Sequence, residues 1–340
     1  MLVVMDRNAG SKEIKEVVNY LVSIGYQAEE LPGKNRVAIG VMGNARDIDR
    51  KEVARFPGVK ELISVTKRYK KVSREFYPDQ SVVEVNGARF GGEEPVIIGG
   101  PCAVESEAQI LASAEFIAEQ GGKILRGGIQ KPRTSPYDFQ GMGFQGLSLM
   151  RKAADKFGLA ICVELLDGED LPVFEKSVDI IQVGARNMQN FSLLKKLSKI
   201  KHPILLKRGN SATVEEFLLA AEYLLDGGND QIILCERGIR TFETSTRNTL
   251  DLNSVALIRK RSHLPIIVDP CHAAGVHDLV TPLALASISA GAQGLLIETH
   301  PNPLQAKSDA QQQLDFPAYA NLVNQVGSLS EFMQPKENLV

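Results

Sequence analysis

Cysteine is scarce and never paired. Cys102, Cys162, Cys235 and Cys271 are widely spaced and form no CxxC, which argues against a disulfide framework and a structural zinc finger, so each reads as core or as a single ligand. An excess of one charge is also missing: 39 Lys and Arg oppose 41 Asp and Glu, with no basic tail, so no nucleic-acid partner is expected. No run approaches the roughly 18 consecutive apolar residues of a membrane span, and the segment Met1–Arg7 has no hydrophobic stretch long enough for a signal peptide. The expectation is a cytoplasmic protein with no membrane partner. The first 66 residues contain neither histidine nor cysteine, which moves metal and nucleophilic chemistry elsewhere. What is present, 44% apolar and 24% charged residues over 340, is ordinary for a globular chain and suits an α/β barrel of about 250 residues with a small companion.

The companion occupies residues 1–66. Residues 2–5 (LVVM) form a strand candidate, and Ser11 is placed to cap a helix in which Ile14, Val17, Val18, Leu21 and Val22 recur at helical spacing until Gly25 stops it. Strand candidates at Gln27–Leu31 and Arg36–Val41, a helical stretch near Ile48–Phe56 and a strand at Leu62–Val65 complete the order βαββαβ. That order predicts a ferredoxin-like module, serving either packing or ligand sensing. Residues 82–90 (VVEVNGARF) read as a hairpin turning at Asn86-Gly87, within a linker spanning 67–92.

From residue 93 to 333 the pattern becomes apolar runs that end in glycine or polar residues, each followed by a helical stretch, with 334–340 left as a tail. The runs are 96–102, 123–128, 160–165, 180–185, 204–209, 232–238, 265–270 and 294–299. Continuous hydrophobicity is what strands buried on both faces require, and eight βα alternations predict a closed (β/α)8 TIM barrel. A doubly wound sheet fits less well, because no GxGxxG follows the first run.

Active sites of such barrels lie at the carboxyl ends of the strands. Here those ends divide into two groups. Arg126, Lys131, Arg133, Arg186, Lys207, Arg208, Arg237 and Arg240 accumulate after strands two, four, five and six, where an anionic substrate is the expected partner. Strands one, seven and eight, neighbours once a barrel closes, end with Cys102, with Asp269 and His272, and with Glu298 followed by Asp309. Alone, each is unremarkable: a cysteine ending an apolar strand is usually inert core, and cations usually decorate a solvated rim. Together a thiolate, an imidazole and carboxylates fit one divalent ion without selecting which. Cys271 is the poorer ligand because a strand neighbour of His272 points the other way. His202, His263, His277 and His300 read as structural.

These residues resemble the 3-deoxy-D-arabino-heptulosonate 7-phosphate (DAHP) synthases. The likeness covers about 68–330 and rests on GPCAVES (100–106), LRGGIQKPRTSPYDFQG (125–141), QVGARN (182–187), LLKRG (205–209), CERGIRTFE (235–243), DPCHAAG (269–275), ETHPNP (298–303) and AKSDAQQQL (306–314). The resemblance implies one divalent metal (Mn, Fe, Co, Zn or similar) on Cys102, His272, Glu298 and Asp309. It implies phosphoenolpyruvate on Arg126, Lys131, Gly184, Ala185, Arg186, Lys207 and Arg237, and erythrose 4-phosphate on Lys131, Pro132, Arg133 and Thr134. Lys131, Cys102, His272 and Glu164 would serve catalysis, Glu164 by positioning a water. It further implies that residues 1–66 are a regulatory (ACT-like) extension that responds to tyrosine or phenylalanine, and that the chain forms a homotetramer. The 3-deoxy-D-manno-octulosonate 8-phosphate synthases share the chemistry but resemble KANRT or KANRS where this chain has KPRTS at 131–135. A catalytically silent metabolite-binding barrel is the alternative of another class.

Overall fold

The structure, a computed structural model, describes residues 1–32, 37–43, 48–63, 68–132, 135 and 137–333. Arg36, Val65, Arg133 and Thr134 and the tail 334–340 therefore lie outside the described residues. Two compact units emerge: Met1–Gln80 together with Arg261–His263, and the chain from Ser81 onward apart from those three residues.

The first unit holds β1 (Leu2–Met5), α1 (Ser11–Ser23), β2 (Gln27–Pro32), β3 (Val37–Met42), α2 (Arg50–Val53) and β4 (Val59–Ile63). Its antiparallel sheet runs β2-β3-β1-β4, the ferredoxin-like order that the sequence predicted. Val3 and Met5 of β1, Val17 and Leu21 of α1 and Ile39 and Val41 of β3 are fully buried and form one core. The helix start differs by one residue from expectation. Gly10 is the cap, and its N–H donates to Glu13 Oε2 at 2.8 Å, so Ser11 opens the helix instead of capping it. The last strand begins earlier than expected, at Val59, directly after the turn at Gly58, whose φ is +78°.

The second unit opens with the hairpin β5 (Val83–Val85) and β6 (Ala88–Phe90). Asn86 and Gly87 take φ of +50° and +75°, as a tight turn between right-twisted strands requires. Then follow β7 (Val96–Gly100), α3 (Glu107–Glu119), β8 (Ile124–Arg126), α4 (Gly143–Phe157), β9 (Ala160–Glu164), α5 (Leu171–Ser177), β10 (Ile180–Val183), α6 (Phe191–Leu197), β11 (Ile204–Lys207) and α7 (Val214–Gly227). The unit ends with β12 (Ile232–Glu236), α8 (Leu252–Arg261), β13 (Ile266–Val268), the short α9 (Pro270–Ala274), α10 (Val280–Ser289), β14 (Gly294–Glu298) and α11 (Phe316–Met333). β7 to β14 form a closed parallel barrel, sealed by β14 pairing β7 from Gly294↔Val96 to Glu298↔Gly100. The hairpin belongs to the barrel core: Val83, Val85, Ala88 and Phe90 cluster with Ile98, Ile180, Leu205 and Ile267. It closes the amino-terminal end, a role that a linker reading does not convey.

Candidate active site at the carboxyl ends of the barrel strands

Alternate strand residues face the barrel interior. The lower inward positions, Ile98, Ile124, Ala160, Ile180, Leu205, Ile233, Ile267 and Leu296, are at most 4% exposed and wholly apolar. Two residues further along each strand the same face turns to Gly100, Arg126, Cys162, Gln182, Lys207, Cys235, Asp269 and Glu298. One more step reaches Cys102, Glu164, Gly184 and Arg237 at the mouth. Hydrophobic burial below thus fixes the register of the polar chemistry above.

Cys102, Glu298 and Asp309 offer donor atoms that all lie within 4.8 Å of one another. His272 is not one of that mutually close set, but its Nε2 is 3.7 Å from Glu298 Oε1 and 3.8 Å from Asp309 Oδ2, so it approaches the cluster from its carboxylate side. His272 stands on α9, where Asp269 caps the helix by accepting from the His272 N–H at 3.0 Å. The same Asp269 lies 2.8 Å from His272 Nδ1, which leaves Nε2 for a ligand. Burial pushes the pKa of His272 down against the pull of Asp269, favouring the neutral imidazole that metals bind. Burial likewise pushes the Cys102 thiol up to about 12, with Glu298 adding to the effect. The two carboxylates repel each other at one point and, with burial, keep the thiol protonated; a divalent cation is the partner such a donor set fits. Cys271 also belongs to α9, not to a strand, and its sulfur accepts from the Glu298 N–H at 3.2 Å. Its separation from the donors comes from helical placement, and strand alternation was the wrong reason.

The cations require a correction too. Several have protein carboxylates as partners, where anionic substrate alone was expected. Arg126 Nη1 donates to Glu298 Oε1 at 2.6 Å, and Lys207 Nζ to Asp269 Oδ2 at 2.5 Å, all four side chains being buried. Burial works against the charge on Lys207, but Asp269 outweighs it and raises the pKa. Arg208 is not at the mouth at all. One residue past Lys207 it faces outward, where it pairs with Glu236 at 2.8 Å and Asp251 at 2.9 Å against α8. Arg237 differs: it is 6% exposed, donates to Asn210 Oδ1 at 3.0 Å, and burial lowers its pKa, as expected of a buried cation short of counter-charge.

A cavity of about 280 Å³ opens over these groups, lined among others by Lys131, Pro132, Glu164, Gly184, Ala185, Arg186, Lys207, Arg237, His272 and Asp309. Lys131 Nζ donates to the Cys102 carbonyl at 3.0 Å, which brings the ammonium beside the donor cluster. Glu164 Oε2 accepts from Gln182 Nε2 at 3.3 Å. Arg126, Cys102 and Glu298 lie beneath the cavity and do not line it. Arg240, one of the strand-end cations expected from the sequence, lines it, and so do Gln182, Asn210, Arg247 and Asn248, to which sequence reasoning gave no site role. Gln182 shares the inward parity of Gly184, a signal that was available; Arg247 sits in a polar loop that no strand announces.

The sequence profile of the DAHP synthetase I family matches residues 77–334, and that of the DAHP synthase ferredoxin-like domain matches 1–67. The chain belongs to the DAHP synthetase I family. Within that family it is 46% identical over 338 residues to a phospho-2-dehydro-3-deoxyheptonate aldolase of Thermotoga maritima, covering 99% of this chain and all of the relative. A crystal structure of the Thermotoga maritima protein of that name, also called DAHP synthase, superposes with a TM-score of 0.79 at 45% identity, over 99% of both chains. A truncated 3-deoxy-D-arabino-heptulosonate 7-phosphate synthase from the same organism matches 78% of this chain and 98% of its own, at 48% identity and a TM-score of 0.73. The similarity reaches further, at 29% identity over 273 residues, to a 2-dehydro-3-deoxyphosphooctonate aldolase of Protochlamydia amoebophila, spanning 74% of this chain and 98% of the relative. Membership therefore joins an enzyme barrel to a ferredoxin-like domain in one chain. No helix among the described residues is long and apolar enough to cross a membrane.

Proposed function

We propose that this chain condenses phosphoenolpyruvate with D-erythrose 4-phosphate and water to give DAHP and inorganic phosphate, the first step of the shikimate pathway leading to the aromatic amino acids. One observation carries the reading: Lys131, Lys207, Arg237, His272 and Asp309 line a single cavity at the barrel mouth, so anion-binding and metal-binding chemistry share one space. The 46% identity to a relative named for this product supports it.

A divalent ion held by Cys102, His272, Glu298 and Asp309 would supply Lewis acidity toward the aldehyde oxygen, and the mixed donor set accepts Mn, Fe, Co or Zn. The residues around it do the rest. Lys131, Arg186, Lys207 and Arg237, which line the cavity, with Arg126 beneath them and the N–H groups near Gly184 and Ala185, hold phosphoenolpyruvate; fixed cations bring two mutually repelling anions together. Lys131 and Pro132, with Arg133 and Thr134 outside the described residues, hold the sugar phosphate. C3 of the enol phosphate bonds to the aldehyde carbon, and Lys131 donates a proton to the alkoxide that forms, a step worth on the order of 10² to 10⁴ in rate. Glu164 orients the water that adds at C2; one proton of that water restores Lys131, the other passes to the departing phosphate as the C2–O bond breaks, and phosphate leaves with the electron pair, leaving a ketone at C2.

Residues 1–66 are assigned an inhibitory role triggered by tyrosine or phenylalanine, on the strength of the ferredoxin-like family match. A cytoplasmic homotetramer completes the proposal. Phosphate release with erythrose 4-phosphate or arabinose 5-phosphate, each with and without chelator, tests the activity. Release with the four-carbon sugar alone, abolished by chelator, is expected. Preference for arabinose 5-phosphate would reassign the chain to octulosonate synthesis, and silence with both would leave a metabolite-binding barrel.

A further inference from the structure

The segment 309–314 follows the barrel's last strand and contains three consecutive glutamines. Gln311 is exposed, whereas Gln312 and Gln313 are 2% and 1% exposed. Buried amides are costly unless their hydrogen bonds are made. Both make them: three of the four bonds reach a candidate metal donor or its sequence neighbour, and the fourth reaches Arg247. Gln312 Nε2 donates to Glu298 Oε2 at 2.5 Å, and its Oε1 accepts from Arg247 Nη1 at 2.8 Å. The same Arg247 nitrogen lies 3.3 Å from Asp309 Oδ1, so Asp309 Oδ2 is left to face Cys102 Sγ at 3.3 Å. Gln313 Oε1 accepts from the Cys102 N–H at 3.0 Å, and its Nε2 donates to the Ser308 carbonyl at 2.8 Å. Backbone bonds fasten the segment itself: Leu314 N donates to the Glu298 carbonyl at 2.9 Å and His300 N to the Leu314 carbonyl at 3.0 Å. Asp309 sits at φ +50°, a left-handed conformation that a non-glycine residue keeps only where its surroundings hold it.

We infer that Gln312 and Gln313 are positioning residues that set the donor geometry of Cys102, Glu298 and Asp309, with Arg247 as the outer brace. This inference rests on the metal site of the proposed function. Arg247 carries a positive charge that would also repel a cation, but its side chain is 41% exposed and solvent screens that repulsion, so the geometric effect of the brace prevails.

The test is Mn²⁺ binding to the full-length chain by equilibrium dialysis, alongside thermal unfolding of the metal-free protein. Gln312→Met and Gln313→Met, similar in size but without the amide, should each raise the Mn²⁺ dissociation constant about tenfold to a hundredfold, the usual effect of losing an outer-shell partner. Gln311→Met, at the exposed neighbour, should bind like the unaltered chain. Should a methionine variant fail to fold, asparagine at the same place keeps an amide but falls one methylene short, and the same weakening is expected. Unchanged affinity in the Gln312 and Gln313 variants, or a weakening equal in Gln311→Met, overturns the inference while the metal site stands. If the unaltered chain binds no Mn²⁺, the metal site fails first and takes the inference with it.

Discussion

Gly184 shows how little room the mouth leaves. A Cβ added there would meet Glu164 Oε1 at 1.9 Å, while the backbone φ of −66° is one that any residue adopts. Only the tip of a flexible side chain stands in the way, so Gly184→Ala should displace Glu164 and leave the fold intact. The expected result is a fall in kcat/KM of about tenfold to a hundredfold with almost no change in Tm, since misplacement by about 1 Å can cost that much. A matching loss of Tm would instead make the glycine a packing residue. At this scale the sequence was readable where side-chain type and strand end coincide, as at Cys102, Glu298 and Lys207. The pairing of those residues was not, because Arg126 meets Glu298 across 172 positions and only barrel closure brings them together. Arg208 was misread for a simpler reason: alternation along β11 sends it outward, and a run scanned for composition ignores parity.

Elements were more legible than residues. Strands buried on both faces are apolar without interruption, so each of the eight expected runs contains its strand. The hairpin's shape was equally visible in Asn86-Gly87, but its use was not, because a plug is defined by what it fills. Phe90 is fully buried among Val83, Ile98 and Ile180 in a core that spans hairpin and barrel. Phe90→Ala should therefore destabilise the barrel by about 3–5 kcal/mol, the range for removing a buried aromatic ring, measured by denaturant unfolding. A loss below about 1 kcal/mol would mean that the hairpin only brushes the barrel end.

For the whole molecule the division of labour is the testable matter. The described residues split at Gln80 and Ser81 into units with separate cores, and the truncated Thermotoga maritima relative aligns over 78% of this chain. Removing residues 1–66 should leave an active barrel whose phosphate release no longer responds to tyrosine or phenylalanine; inhibition that survives the truncation contradicts a regulatory role for that segment. The ferredoxin-like order was legible because alternating short elements and turn residues announce it, whereas nothing in a sheet's hydrophobic pattern names a ligand.

The proposed condensation requires one divalent ion held by sulfur, nitrogen and oxygen at the barrel mouth. Co²⁺ titrated into the chelator-treated chain reports the ion's stoichiometry, its sulfur donor and the activity together. One equivalent should produce a thiolate-to-cobalt absorption band and restore phosphate release, and Cys102→Ser should lose the band and most of the activity. Full activity without bound metal, or an unaltered titration in Cys102→Ser, would contradict it.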